Sequence, residues 1–274
     1  MTKRGCAALA TSKSRQASRI SGEPAFVLHR YPWSESSLVL EVFTRHHGRM
    51  ALMARGARRP TSNFRPVLLP LQPLRLDFGG ESEVRSLKGA EWVGGHVMPR
   101  GESLLSGYYL NELLMRLLAR DDPHPALFDM YRQTVQVLAT DASPAMTSVL
   151  RAFELVLLRD IGLLPALDQQ TLTLQPLQSE QVYELSAEGG LRQAMRVNDE
   201  PPAAARGVVT GQAWSDLNAA LDGHAPWLDT LRVCAQLTHE DRSALQTQLR
   251  ALLHHHCGVT ALRTRQLMVE LQSL

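Results

Sequence analysis

Ala25-Phe-Val-Leu-His-Arg-Tyr31, Ser37-Leu-Val-Leu-Glu-Val-Phe-Thr44 and Arg49-Met-Ala-Leu-Met-Ala-Arg55 decide the fold of the N-terminal third. The first is a short apolar run. The second alternates apolar and polar positions under a β-branched bias, the period of a half-buried strand. Gly48 supplies a turn, and the third run is the strand returning from it. Leu74-Arg-Leu-Asp-Phe78 ends at Gly79-Gly80, a hairpin signal, and Val84 to Val93 completes a set of five. Five short strands over residues 21–98 suit a small closed barrel such as the OB-fold. Closure leaves no unpaired strand edge to manage.

After Pro99 the period changes. Leu110, Leu113, Leu114, Leu117 and Leu118 form the i, i+3, i+4, i+7, i+8 stripe of an amphipathic helix, broken by Pro123 and Pro125. A second helix is expected over 126–139. Pro144 opens a third, with Val149, Phe153, Val156, Leu157 and Ile161 on one side and Gly162 and Pro165 as its stop. Residues 166–206 lose helical periodicity and carry Gly189-Gly190 and Pro201-Pro202, so loops with one or two short strands are expected. Helices resume near Thr210. Thr238 and Asp241 resemble a capping box, and Gly258 is placed as a C-terminal cap. A last helix is expected near 261–273. The expected architecture is α+β and multidomain: a tail at 1–20, an OB-fold barrel at 21–98, and a mostly α-helical domain at 99–274 with an irregular insertion at 166–206.

Charge is divided unevenly along the chain. Of 29 Lys and Arg, twelve fall in residues 1–70, against only three of the 27 acids there: Glu23, Glu35 and Glu41. The rest of the chain is acidic on balance, so a net charge of +2 conceals a basic module joined to a module with another task. Residues 1–20 are basic, rich in Ser and Ala and without periodicity. They read as a disordered tail, with a start codon placed too early or an organelle transit peptide as the lesser readings. Cys6, Cys234 and Cys257 form no C-x-x-C pair, and an odd, scattered count suits a reducing compartment. No apolar run approaches the roughly 18 residues of a membrane span.

Catalytic motifs are missing. His254-His255-His256-Cys257 would sit on a helix with successive side chains about 100° apart, so they cannot converge on one ion. His46-His47 would point to opposite faces of a strand end. Neither a phosphate-cradling glycine loop nor a G-x-S-x-G elbow occurs, and the carboxylates at Glu154 and Asp160 read as a solvated helix face. A non-enzyme without cofactor or metal is expected.

The positive signal lies between Arg45 and Arg65. Gly56-Ala-Arg-Arg-Pro-Thr-Ser-Asn-Phe-Arg65 reads as an exposed loop, and its guanidiniums suit phosphate oxygens. Tyr31, Trp33 and Phe64 lie close in sequence to those bases, as stacking platforms do in single-strand binders. The candidate nucleic-acid contacts are Arg30, Arg45, Arg49, Arg55, Arg58, Arg59 and Arg65 with those three aromatics. The plainer reading puts Tyr31 and Phe64 in the core and leaves the arginines to solubilise.

Residues 25–44, with Gly48-Arg49 and Ala54-Arg-Gly-Ala-Arg58, resemble the N-terminal domain of the bacterial RecO family of recombination mediators. The likeness continues in order through Leu71-Gln-Pro-Leu74, Gly89-Ala-Glu-Trp92, Tyr109-Leu-Asn-Glu-Leu-Leu114, Arg151-Ala-Phe-Glu-Leu155, Gly189-Gly-Leu191 and Leu262-Arg-Thr-Arg-Gln-Leu267. Each motif is weak alone; their order is specific. The resemblance implies an OB-fold and a helical domain, binding of single- and double-stranded DNA and strand annealing. It also implies work with RecR and, indirectly, RecA at gaps coated by single-stranded-DNA-binding protein, in the bacterial cytoplasm on the nucleoid. Many relatives hold zinc with four cysteines in the stretch matching 166–206; this chain has none there, so no zinc is expected.

The implied partner, the acidic and apolar C-terminal tail of single-stranded-DNA-binding protein, needs a cation beside an apolar pocket. Arg151, read as the start of a helix, is the expected centre of that site, with Arg159 and Ile161 beside it. The alternative is that Arg151 pairs with a nearby acid. Other readings of the whole chain are an RNA-binding OB protein of translation or ribosome assembly, and a protein adaptor with a basic face.

Overall fold

The computed structural model describes residues 19–140, 145–194 and 207–272. The expected basic tail therefore lies outside the described residues, except that Arg19 and Ile20 already belong to the first strand. Five strands follow: β1 (Arg19–Pro32), β2 (Leu38–Thr44), β3 (Gly48–Ala54), β4 (Pro73–Gly79) and β5 (Val84–Trp92). They close into a barrel in the order β1-β2-β3-β5-β4, with β3 and β5 parallel and the other pairs antiparallel.

β1 is buried on both faces from Ala25 to Leu28, which explains why its sequence runs apolar instead of alternating. Ala25 and Val27 point into the barrel with Leu40, Val42, Leu52, Leu76 and Phe78. Phe26 and Leu28 point out, into a second and larger core shared with the helices. Between Val27 and His29 the pairing with β2 skips a residue, so Leu28 is the extra residue of a bulge.

The helical part holds α1 (Gly101–Leu117), α2 (Pro125–Ala139) and α3 (Met146–Asp160). A small sheet of β6 (Val182–Ser186), β7 (Gly190–Gln193) and β8 (Val209–Thr210) follows. Four helices end the chain: α4 (Gly211–Leu221), α5 (Pro226–Gln236), α6 (His239–His256) and α7 (Arg263–Gln272). The two parts are packed as one body. Phe26 and Phe43 of the barrel meet Phe128 and Tyr131 of α2 at ring-centroid distances of 5.0–6.2 Å, and Tyr131 meets Phe153 of α3 at 6.3 Å. Such pairs each add about 0.5–1.5 kcal/mol beyond the area they bury. Asn111 Nδ2 donates to the Leu28 carbonyl at 3.0 Å, and the Tyr131 hydroxyl donates to Asn111 Oδ1 at 2.5 Å. α1 approaches the barrel closely at Gly107, where a Cβ would lie 2.5 Å from Leu71 Cδ1.

The stretch 166–194 is held without cysteines. Leu167, Tyr183, Leu185 and Leu191 enter the large core. The order of the small sheet is β7-β6-β8. Gln248 of α6 accepts from the Leu185 N–H at 2.6 Å and donates to the Gly207 carbonyl at 2.7 Å. Tyr183 Oη accepts from Gln178 N, Thr171 Oγ1 from Leu191 N, and Asn218 Oδ1 from Leu167 N. Backbone donors of this stretch are met by side-chain acceptors. Helix ends follow the expected signals: Thr238 Oγ1 accepts from Asp241 N at 3.1 Å. Gly258, at φ +63°, donates to His255 O while Val259 donates to His254 O, the paired bonds of a Schellman cap.

Candidate nucleic-acid interface

The loop from Arg55 to Leu69 is a chain of successive turns. Arg59 N donates to Gly56 O, Ser62 N to Arg59 O, Arg65 N to Ser62 O and Val67 N to Phe64 O. It is pinned to the barrel at Ala57 and Leu68, both buried in the barrel core, and at Phe64, which packs against that core. Arg58 ties it to the β1–β2 connection: its N–H donates to Ser36 O at 3.0 Å and its Nη1 to Ser34 O at 2.6 Å. The loop thus stands as a fixed wall beside the outer faces of β4 and β5.

Between that wall and those strands runs a groove of about 730 Å³. Arg55 and Arg59 line it from the loop, Arg75 from β4 and Lys88 from β5. All four are exposed and have no side-chain partner among the described residues. Two carboxylates share the lining, Asp77 and Glu91. Asp77 is engaged by the Gly22 N–H at 2.7 Å and Arg19 at 3.7 Å. Arg75 and Lys88 were not among the residues singled out from the sequence. They stand at outward positions between buried neighbours, Leu74 and Leu76 on one strand and Leu87 on the other, a period-2 signal that could have found them.

The other expected contacts divide. Arg65 is exposed and unpaired among the described residues but does not line the groove. Arg30 Nη1 donates to the Leu68 carbonyl and so supports the loop. Arg45 and Arg49 serve the joint between barrel and helices. Arg45 pairs with Asp129 of α2 at 2.9 Å; Arg49 pairs with Glu41 at 3.2 Å and donates to the Leu118 carbonyl at 3.1 Å. Phe64 is half-buried: it packs against the barrel core and also lines this groove beside Arg59. Tyr31 and Trp33 are exposed, at 45% and 69%. Tyr31 turns away from this groove into a cleft facing α1 and α7.

A family model described as Recombination protein O N terminal matches residues 19–96, and one described as Recombination protein O C terminal matches residues 98–266. The chain belongs to the RecO family. It is 61% identical over 262 residues to the DNA repair protein RecO of Variovorax paradoxus (strain S110), covering 94% of this chain and 99% of that one. It is 60% identical over 256 residues to the DNA repair protein RecO of Polaromonas naphthalenivorans (strain CJ2), covering 93% and 98%. The RecO protein of Delftia acidovorans (strain DSM 14801 / SPH-1) is 58% identical over 262 residues. DNA repair and recombination are the processes this RecO family chain serves.

The expected tail site around Arg151 is not assembled. α3 begins at Met146, so Arg151 lies in its second turn and not at its free N–H groups. Its side chain is buried, 7% exposed for the residue, and bonds Glu154, whose Oε1 also accepts from the Tyr109 hydroxyl at 2.6 Å. Burial pushes the Glu154 carboxyl up against the pull of Arg151. Ile161 packs against the large core. Arg159 alone of the three reaches an open site: with Leu127, Met130, Val156, Trp227 and Leu228 it lines a mostly apolar groove of about 400 Å³ between α2, α3 and α5. There it donates to Asn218 at 2.7 Å and lies 3.6 Å from Asp222. Among the described residues no group of three His, Cys, Asp or Glu could hold a metal ion, and no helix is long and apolar enough to cross a membrane.

Proposed function

We propose that this RecO family chain binds single- and double-stranded DNA through the groove of Arg55, Arg59, Arg75 and Lys88, and anneals complementary strands. The barrel works as an OB-fold, and the observation that carries the reading is that groove: four unpaired cations on one wall and one sheet face. Such groups displace counterions from phosphates and reduce the repulsion between two strands, so that base pairing itself drives annealing. The protein acts by binding, without nucleotide hydrolysis. The barrel side chains contact the backbone, so the binding is indifferent to sequence.

Its partners in this reading are RecR, single-stranded-DNA-binding protein and, indirectly, RecA, on the nucleoid in the cytoplasm. The acidic, apolar tail of single-stranded-DNA-binding protein fits the Arg159 groove better than the Arg151 position, because only the former joins an accessible cation to an open apolar surface.

The test is annealing of complementary oligonucleotides coated with the cognate single-stranded-DNA-binding protein. The chain is expected to accelerate annealing without nucleotide, and Arg59→Glu with Lys88→Glu to abolish the acceleration. An unchanged rate with the double variant contradicts the groove.

A further inference from the structure

We propose that the cleft between the barrel and the helical domain is a second strand-binding site, so that one chain holds two nucleic-acid strands at once. This rests on the reading of the Arg55–Lys88 groove as the first. The cleft measures about 830 Å³ and shares no lining residue with that groove. Its walls come from β1, β2 and β3 on one side and from α1 and α7 on the other, whereas the first groove lies over β4 and β5.

The bulge at Leu28 builds this site. The extra residue resets the alternation of β1, so that Leu28 and His29 both line the cleft, and Tyr31, two residues on, shares the face of His29. The His29 and Tyr31 rings meet edge to face at 4.4 Å, and Tyr31 remains 45% exposed. Burial, then Arg263 and Arg30, hold His29 below its ordinary value against the pull of Glu41. Tyr108 lines the same cleft from α1.

Four arginines, Arg49, Arg116, Arg120 and Arg263, share the lining with two carboxylates, Glu41 and Glu112. Glu41 is taken by both Arg49 and Arg120, and the exposed Glu83 also takes Arg120; Glu112 is taken by Arg116 and by backbone donors of α7. Arg263 is exposed and has no acid partner among the described residues. Aromatic faces beside guanidiniums suit bases stacked on a backbone whose phosphates meet the cations. An acidic apolar peptide would use the cations but has less need of three rings, so a nucleic-acid strand is the occupant argued for.

The experiment counts strands. Short non-complementary oligodeoxynucleotides are titrated at low salt into wild type, into Tyr31→Ala with Arg263→Glu, and into Arg59→Glu with Lys88→Glu, and the stoichiometry is read by native mass spectrometry. All four substituted side chains are exposed, and a matching melting temperature shows that each variant is folded. Wild type is expected to hold two strands and each double variant one. The cleft variant should also anneal about ten-fold more slowly or worse. A cleft variant that still holds two strands and anneals at the wild-type rate overturns the inference, also if it has lost binding of an acidic apolar peptide. A single strand on wild type, lost with the groove variant and kept with the cleft variant, overturns the inference but leaves the first groove standing. A groove variant that binds two strands as wild type does removes the reading on which the inference rests.

Discussion

Glu112 of α1 caps the N-terminus of α7 across 152 residues of chain: its Oε2 accepts from the Thr264 N–H at 2.9 Å and from the Thr264 hydroxyl at 2.7 Å. Its Oε1 takes the Arg263 N–H at 3.0 Å and Arg116 Nε at 3.0 Å. Burial alone would raise this carboxyl, but the bonds from Thr264, Arg263 and Arg116 outweigh it and hold it below the usual range. A group lowered in the folded state stabilises above its unfolded value, and that stability is lost as pH falls through the folded value. Glu112→Gln is therefore expected to cost about 1–2 kcal/mol at neutral pH, the scale of a lost N-cap. It should also flatten the acid limb of stability below about pH 4. Urea titrations of both proteins across pH check this; equal stability at pH 7 contradicts it.

Arg151 and Glu154 form the most buried ion pair among the described residues, at 8% and 0% side-chain exposure. Arg151→Ala leaves the carboxyl of Glu154 without its cation, and a loss of about 3–5 kcal/mol is expected. Arg151→Met combined with Glu154→Leu should recover most of it, because apolar pairs of similar volume replace buried ion pairs at little cost. Denaturant midpoints of the single and double variants are the measurement. If Arg151→Ala is as stable as wild type, the pair is not structural.

Gln248 of α6 bridges the Leu185 N–H and the Gly207 carbonyl. Gln248→Ala orphans the buried Leu185 N–H and is expected to cost about 1–3 kcal/mol. A strong chelator should leave the melting temperature of wild type unchanged, since residues 166–206 contain no cysteine. A drop in melting temperature on chelation would point to a metal in the fold.

Arg159→Glu reverses the charge beside Trp227 and Val156. Binding of an acidic peptide ending in an apolar residue should weaken at least about ten-fold, as one lost 1.4 kcal/mol contact does. Binding of bare DNA should not change. Fluorescence anisotropy with both ligands separates the two, and unaltered peptide affinity moves the tail elsewhere.

The barrel could be read because its period survives in Ser37–Thr44 and Arg49–Arg55, and because Gly48 marks the turn between them. The amphipathic stripe from Leu110 to Leu118 made α1 equally plain. α5, Pro226–Gln236, was not read apart from its neighbours, since its buried positions Trp227, Thr230 and Cys234 include too few aliphatics to make a stripe. Among the site residues, charge counting found Arg55 and Arg59 but could not tell them from Arg45 and Arg49. Asp129, which occupies Arg45, lies 84 residues away in the chain; Arg49 is held by Glu41 on the neighbouring strand and by the Leu118 carbonyl 69 residues away. The pairing of Arg151 was closer to hand: Glu154 stands at i+3 on the same helix face, a spacing that favours the pair. Arg75 and Lys88 lie beyond the first 70 residues, where the charge imbalance is greatest, so charge counting does not single them out.

In the proposed function Arg55, Arg59, Arg75 and Lys88, which line one groove, act together on phosphates. The most direct measurement is the salt dependence of single-stranded oligonucleotide affinity for wild type and for a variant with all four changed to Ala. Each phosphate neutralised on a single strand contributes about 0.7 to the slope of log affinity against log salt. The four-fold variant should bind more weakly at low salt and its slope should be shallower by about 2 to 3. A variant with the wild-type slope and affinity would contradict the groove as the DNA site.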